Sequence, residues 1–128
     1  MIYYAHSVTK YGTDIEKFEL ALIGARFPLF QIINPNGMND ESLPEDEILR
    51  NCFSIISRGD CEGLVFSSMS GLVGIGVLNE IQCAMGQDIP VYEISGAEIY
   101  KVQSIRSVEV DFSNRVFAQV FTVRIPVR

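Results

Sequence analysis

The sequence predicts an α/β protein, with a Rossmann- or flavodoxin-like parallel sheet, flanking helices and an antiparallel β extension at the C-terminal end. Strand-like apolar runs alternate with helix-like segments over residues 1–94, an order typical of a parallel sheet with crossover helices. The remaining third is rich in β-branched and aromatic residues. The 128 residues, 48% of them hydrophobic, suit one domain with one core. We therefore expect a single domain, with the parallel core at 1–94 and the extension at 95–128.

The N-terminal segment predicts a strand followed by a helix. Residues Ile2 to Ala5 are apolar and aromatic, as is typical of a buried strand. After a polar loop, Thr13 and Glu16 match a capping box, in which each side chain bonds the backbone N–H of the other. The spacing of apolar residues behind it predicts an amphipathic helix as far as about Arg26. Its expected buried face comprises Ile15, Phe18, Leu22 and Ala25.

The next segment repeats this order. The apolar run Leu29 to Ile33 predicts a second strand. It ends at Asn34-Pro35-Asn36-Gly37, a strong turn signal. A second capping box, Ser42-Leu43-Pro44-Glu45, predicts the start of a helix, and Gly59 predicts its end.

A third strand and helix follow, and then a fourth strand. Gly63 to Phe66 is the third strand, and the small residues Ser67 to Gly71 form a loop behind it. The third helix is expected from about Gly74 to Met85. Pro90 to Ile94 is the fourth strand.

The C-terminal third contains three β-rich segments, at 99–102, 108–112 and 116–125, with a turn-like stretch at 111–115. We interpret them either as an antiparallel extension on the edge of the sheet or as a hairpin used for contact between subunits.

Charge and composition favour a small-molecule partner in the cytoplasm. The net charge is −6, and only 10 Lys and Arg residues are spread along the chain, whereas binding of double-stranded nucleic acid needs a basic face. The three cysteines form neither a CxxC motif nor a cluster with histidine, so we expect no disulfide framework and no zinc site. We find no signal peptide and no apolar run of the ~20 residues that cross a bilayer, so no membrane contact is expected.

Polar residues and glycines concentrate where strands of the predicted sheet end, and this edge binds ligands in open α/β sheets. The candidate ligand contacts are His6 and Ser7 after the first strand, Asn34 and Asn36 after the second, Ser67 and Ser68 after the third, and Gly74 and Gly76 at the third helix. The two asparagines also serve as turn-formers, and small polar loop residues need no other role. The two glycines do not follow the first strand and lack the full dinucleotide pattern, so we reject a classical dinucleotide site.

Glu80 is the candidate for chemistry on the third helix. Its neighbours on the helix surface, Gly76 and Ala84, are both small, so a flat ligand is able to lie beside the carboxylate. The alternative is an ordinary exposed glutamate.

Several of these segments together resemble the nucleoside 2-deoxyribosyltransferase superfamily. Ile2-Tyr3-Tyr4-Ala5 and its polar loop resemble the opening strand of that family. The order of Val73-Gly74-Ile75-Gly76, Glu80-Ile81-Gln82-Cys83-Ala84 and Pro90-Val91 resembles its nucleophile helix and following strand. The Tyr4-Ala5-His6-Ser7 start, the Tyr11-Gly12-Thr13 turn and the Ile33 to Asn36 turn are similar to a small, largely uncharacterised branch in phage and prokaryotes. The resemblance covers about residues 1–94.

The resemblance implies an enzyme that breaks or transfers the N-glycosidic bond of a nucleoside or nucleotide, with no cofactor. Glu80 falls on the family's nucleophile, and Tyr3 on the tyrosine that orients it. His6, the sole histidine, is a candidate to protonate the leaving base or to contact a phosphate, although it also suits an ordinary loop histidine.

Other functions remain open at this point. The family's base-recognising carboxylates precede the nucleophile helix, but the stretch from Ser67 to Gly71 contains no acid. This departure favours, as an alternative, a non-catalytic protein that binds a nucleotide or an ADP-ribose-like molecule. A third possibility is an oligomeric structural or interaction protein. Relatives form dimers or larger homo-oligomers and complete the site with a neighbour's C-terminal residues, so a homo-oligomer is expected here.

Overall fold

A seven-stranded sheet and three α-helices make up the part of the chain that the computed structural model describes, which is residues 1–35, 44–112 and 115–127. The elements are β1 (Ile2–Ala5), α1 (Asp14–Arg26), β2 (Ile32–Ile33), α2 (Glu45–Ile56), β3 (Gly63–Ser67), β4 (Leu72–Gly74), α3 (Ile75–Gly86), β5 (Val91–Ser95), β6 (Glu98–Phe112) and β7 (Arg115–Pro126).

The sheet is partly parallel and partly antiparallel, in the order β2-β1-β3-β5-β6-β7-β4. The strands β2, β1, β3 and β5 are parallel to one another, and β6, β7 and β4 continue the sheet in antiparallel pairs. The predicted combination of a parallel part with an antiparallel C-terminal extension is therefore confirmed.

Helices cover both faces of the parallel strands, which explains why β1 and β3 are buried along their whole length. Alternate residues point to opposite faces. Tyr3 and its paired neighbour Leu64 belong to the core cluster that includes residues of α2 and α3. Tyr4 and Val65 belong to the cluster under α1.

Helix α1 has the predicted bounds but buries a different face. Ile15 and Phe18 are 50% and 51% exposed, whereas Glu16, Glu19 and Ile23 are buried. The predicted apolar face was therefore wrong for Ile15 and Phe18, and Ala25 is exposed as well. Leu22, the fourth residue of that face, is half-buried and packs against the core cluster under α1. The physical reason is that both buried carboxylates have polar partners beneath the helix, which offsets the cost of removing them from water.

At the N-terminus of α1, one of the two hydrogen bonds of the predicted capping box is present. Thr13 Oγ1 accepts a hydrogen bond from the backbone N–H of Glu16 at 3.2 Å. The Glu16 carboxylate instead contacts the His6 ring with Oε2 and accepts a bond from the N–H of Gly12 with Oε1.

Strand β2 is shorter than predicted. The backbone turns after α1, where the Phe30 N–H donates to the Phe27 carbonyl at 3.2 Å, and Leu29 is 93% exposed. Only Ile32 and Ile33 then pair with β1. Asn36, Gly37, Ser42 and Leu43 lie outside the described residues, so the turn and the second capping box are tested only in part. Helix α2 begins at Glu45 with Pro44 as its N-cap residue.

Strand β4 was not expected from the sequence. It lies in the segment predicted as the approach to the third helix and pairs with β7, so that Gly74 is opposite Phe117. Strands β6 and β7 form one long hairpin, and its predicted turn residues Ser113 and Asn114 lie outside the described ranges. The hairpin thus brings the start of β7 to the start of α3.

In the described part of the chain, each helix is too short or too polar to span a lipid bilayer.

Candidate functional site

A cleft of about 1010 Å³ lies beyond the carboxyl ends of the parallel strands, at the edge predicted for a ligand. This volume is at the upper end of the range of roughly 300–1,000 Å³ for small-molecule sites. The loop after β1, helix α2, the start of α3 and the start of β7 form its walls. The lining residues include His6, Ser7, Tyr11, Pro35, Ile48, Leu49, Cys52, Gly74, Gly76, Asn79, Glu80, Arg115 and Phe117.

Glu80 lies in this cleft and is only 6% exposed, so it is not an ordinary surface glutamate. Apolar residues on the same helix, among them Val77 and Ile81, pack into the core and orient α3 on the sheet. Gly76, one turn before Glu80, leaves open space as far as the structure describes the chain, since a Cβ there would have no described atom within 4 Å.

The Glu80 carboxylate and the Tyr3 hydroxyl are both buried with incomplete hydrogen bonding. Among the described residues, neither Glu80 Oε2 nor the Tyr3 hydroxyl has a hydrogen-bond partner. Buried polar atoms without partners are rare and costly, and a catalytic role is one of the reasons for which proteins retain them. The two groups are nevertheless close enough for each to influence the ionisation of the other.

Burial raises the pKa of Glu80 from 4.5 to about 7, while the Tyr3 hydroxyl and the Cys52 thiol lower it in part. Burial and the charge of Glu80 hold the pKa of Tyr3 far above its ordinary range, and together they raise the pKa of Cys52 to about 11. Tyr3 and Cys52 therefore stay protonated near neutral pH, and the carboxylate is the group of the three that titrates there.

His6 borders the cleft, but its side chain is fully buried. Its Nδ1 is 3.2 Å from the Tyr4 carbonyl oxygen, and its Nε2 is 2.7 Å from Glu16 Oε2. The ring stacks on Tyr4 with centroids 3.8 Å apart. Because both ring nitrogens already face oxygen partners, the geometry supports an anchoring role for His6 better than the predicted proton transfer.

The remaining predicted contacts divide between the cleft and its surroundings. Ser7, Gly74 and Gly76 line the cleft. Among the described residues, neither Ser67 nor Ser68 is part of the lining, and the Ser67 hydroxyl accepts a hydrogen bond from Lys10 Nζ. Asn34 precedes the lining residue Pro35 and is engaged in contacts of its own. Asn36 lies outside the described residues.

Sequence reasoning missed several lining residues. Tyr11 belongs to a loop already identified, and Asn79 is adjacent to Glu80, so their positions offered a weak signal. Cys52 has the spacing of an ordinary core residue on the predicted second helix, so nothing in the sequence set it apart. Arg115 and Phe117 offered no local signal, because only the pairing of β7 with β4 brings them to the cleft. The chain's own C-terminal strand thus forms a wall that the resemblance assigned to a neighbouring subunit.

The described residues contain no cluster of three or more His, Cys, Asp or Glu side chains suited to a metal ion. Comparisons with protein-family models, curated proteins and solved structures give no match. The arrangement of the cleft is therefore the basis for any assignment of function.

Proposed function

We propose that this protein breaks or transfers the N-glycosidic bond of a nucleoside or nucleotide, with Glu80 as the nucleophile. The observation that carries the proposal is a buried carboxylate, one oxygen of which has no hydrogen-bond partner among the described residues, in a cleft with room for a nucleoside. We also propose a Rossmann- or flavodoxin-like core, which the order of the parallel strands, β2-β1-β3-β5, supports. In such sheets, ligands bind beyond the carboxyl ends of the strands, where this cleft lies.

The chemistry requires a negative group below the sugar. As the C–N bond breaks, its electrons go to the base nitrogen and positive charge builds at the anomeric carbon. An ionised Glu80 forms a bond to that carbon and traps the sugar as an ester. The released base takes a proton from water. A second nucleobase then displaces Glu80 in a transfer, or water does so in a hydrolysis, and in either case the attacking group gives up one proton to solvent.

The environment of Glu80 suits this role. A site with little water strengthens the attraction between the carboxylate and the developing cation. The Tyr3 hydroxyl, which keeps its proton and lies near Glu80, is the group that we propose orients the carboxylate. Since the nucleophile must be ionised and the pKa of Glu80 is about 7, activity should rise with pH through that region.

A second candidate is a non-catalytic protein that binds a nucleotide or an ADP-ribose-like molecule. One observation favours it. Among the described residues, none from Ser67 to Gly71 lines the cleft. In the resembled family, the corresponding segment carries the acids that recognise the base, so this cleft lacks that contribution.

Release of free base from a panel of nucleosides and 5′-nucleotides tests the proposal. Wild type should release base from at least one of them, and Glu80→Ala should be slower by about 1000-fold or more. Glu93→Gln is the matched control, because Glu93 is also a buried glutamate but bonds Thr122 and Arg124 outside the cleft. If wild type releases no base while a nucleotide raises its melting temperature, the binding function replaces the catalytic one. If neither occurs, both are wrong.

We also propose a homo-oligomer, a dimer or larger, formed through the β6–β7 hairpin. Val108, Phe121 and Val123 are 54%, 47% and 57% exposed, and the strand register places them on one face. Exposed apolar surface of this kind is typical of protein contacts. Light scattering of wild type and Phe121→Ser tests this, since a monomeric wild type would refute it.

A further inference from the structure

Tyr11 is a cleft residue for which the proposed reaction has so far no use. It is half-buried, lines the cleft and lies against the His6 ring with centroids 4.9 Å apart. Among the described residues, its hydroxyl has no hydrogen-bond partner, although it is near enough to Glu80 to be affected by that charge. An aromatic side chain with a free hydroxyl in a ligand-sized cleft is suited to contacting the ligand.

A buried polar network fixes the loop that carries Tyr11. The Glu16 carboxylate reaches both ends of the loop. Its Oε2 lies 2.7 Å from His6 Nε2 at the start, and its Oε1 accepts a hydrogen bond of 3.1 Å from the Gly12 N–H near the end. Within the loop, the N–H of Lys10 donates to the Ser7 carbonyl at 3.0 Å. The Glu16 carboxylate thus spans both ends of the segment and holds Tyr11 in place before a ligand arrives.

We propose that Tyr11 is a further catalytic residue, whose hydroxyl donates a hydrogen bond to the leaving nucleobase, and that Glu16 and His6 are positioning residues acting through it. The inference rests on the proposed function. Glu80 approaches the anomeric carbon from one side and the base departs from the other, so a donor for the base must come from another element of the cleft. Tyr11, from the loop after β1, meets this requirement, whereas both His6 nitrogens already have partners.

Tyr11 stays protonated near neutral pH, so its hydroxyl is able to donate a hydrogen bond to the base without transferring its proton. Burial, with the nearby Cys52 and Glu80, raises its pKa to about 12. As the C–N bond breaks, the base nitrogen takes the electron pair, and the Tyr11 O–H stabilises that charge while keeping its own proton. The released base then takes a proton from water, so the step balances without another reactant.

Turnover by Tyr11→Phe is the primary test. We expect kcat to fall by about 10- to 100-fold, as for loss of a hydrogen bond to a charged group, with KM and melting temperature little changed. Tyr92→Phe is the matched control, because Tyr92 is also half-buried and lies outside the cleft. With 4-nitrophenyl 2-deoxyriboside, whose leaving group needs no donor, the defect of Tyr11→Phe should largely disappear.

A double-mutant cycle tests the positioning role. Glu16→Gln should lower kcat in the wild-type background but have little further effect in Tyr11→Phe, because both changes remove the same interaction. Equal effects in both backgrounds would show that Glu16 acts only on the fold, and the positioning role would be wrong. Should Glu16→Gln fail to fold, His6→Asn gives a second variant for the same cycle.

The outcomes separate this inference from the function on which it rests. If wild type releases base and Tyr11→Phe is as fast, Tyr11 is not catalytic while the proposed function stands. If wild type only binds a nucleotide, as measured by calorimetry, then cleavage and the catalytic role of Tyr11 are both wrong, and weaker binding by Tyr11→Phe would leave only a contact with the ligand. Equal binding by both, or no binding by wild type, overturns that contact as well.

Discussion

Replacing Glu80 with glutamine should stabilise the fold at alkaline pH and leave its stability nearly unchanged at acid pH. The pKa of Glu80 is 4.5 in the unfolded chain and about 7 in the folded one. Below 4.5 both states hold the proton. Between 4.5 and about 7 only the unfolded state has lost it, so the free energy of unfolding falls as the pH rises. Above about 7 the folded protein carries the full cost of a buried charge.

The size of the effect follows from the pKa difference. The interval from 4.5 to about 7, at about 1.4 kcal/mol per pH unit, amounts to about 3 kcal/mol. Glutamine has a similar shape and no charge, so it avoids this cost. For a chain of this length, 3 kcal/mol corresponds to roughly 10 °C in melting temperature. The same substitution removes the nucleophile, so the variant should be more stable and inactive.

Urea unfolding of wild type and Glu80→Gln at pH 4.5 and at pH 8 measures the effect. Only the difference between the two proteins is informative, because other groups titrate equally in both. That difference should grow by about 3 kcal/mol between the two pH values. A constant difference would show that the Glu80 carboxylate is well solvated, and the argument for a desolvated nucleophile would be lost. Glu93→Gln serves again as the buried control.

Four further substitutions test the described packing by urea unfolding or thermal melting. Ile23→Ala should cost about 2–5 kcal/mol, because Ile23 is fully buried, whereas Phe18→Ala should change stability by about 0.5 kcal/mol or less; equal costs would contradict the assigned face of α1. Thr13→Ala should cost about 1 kcal/mol through loss of the N-cap bond to Glu16, and no change would show that the cap is not formed in solution. Gly71→Ala should cost roughly 1–2 kcal/mol, since φ is +81° and a Cβ would lie 2.2 Å from the Gln119 amide nitrogen; an unchanged melting temperature would refute this.

The features that were predictable from the sequence depend on neighbours along the chain. Helix α3 follows from the spacing of its apolar residues, whereas the orientation of Glu80 stayed open between a cleft residue and an ordinary exposed glutamate. The parallel strands follow from short apolar runs between helical segments. Local patterns contain the information for both, because burial on one helix face or in one strand is decided within a few residues.

The features that were missed depend on partners distant in the sequence. The buried face of α1 contains Glu16 and Glu19, and a hydrophobic pattern assigns such residues to water. Their burial is possible because the Tyr4 hydroxyl bonds Glu19 and the His6 ring bonds Glu16, which the spacing within α1 does not reveal. Likewise, Gly74 pairs with Phe117, 43 positions later, and no local signal specifies that register.

The cleft is complete only when β7 has paired with β4, two strands that are distant in the sequence. Contacts between distant segments form slowly, because the intervening chain must first lose conformational freedom. If β7 docks after the parallel strands have assembled, the wall that contains Phe117 is the last part of the cleft to form. A complete cleft therefore requires the pairing of β7 with β4.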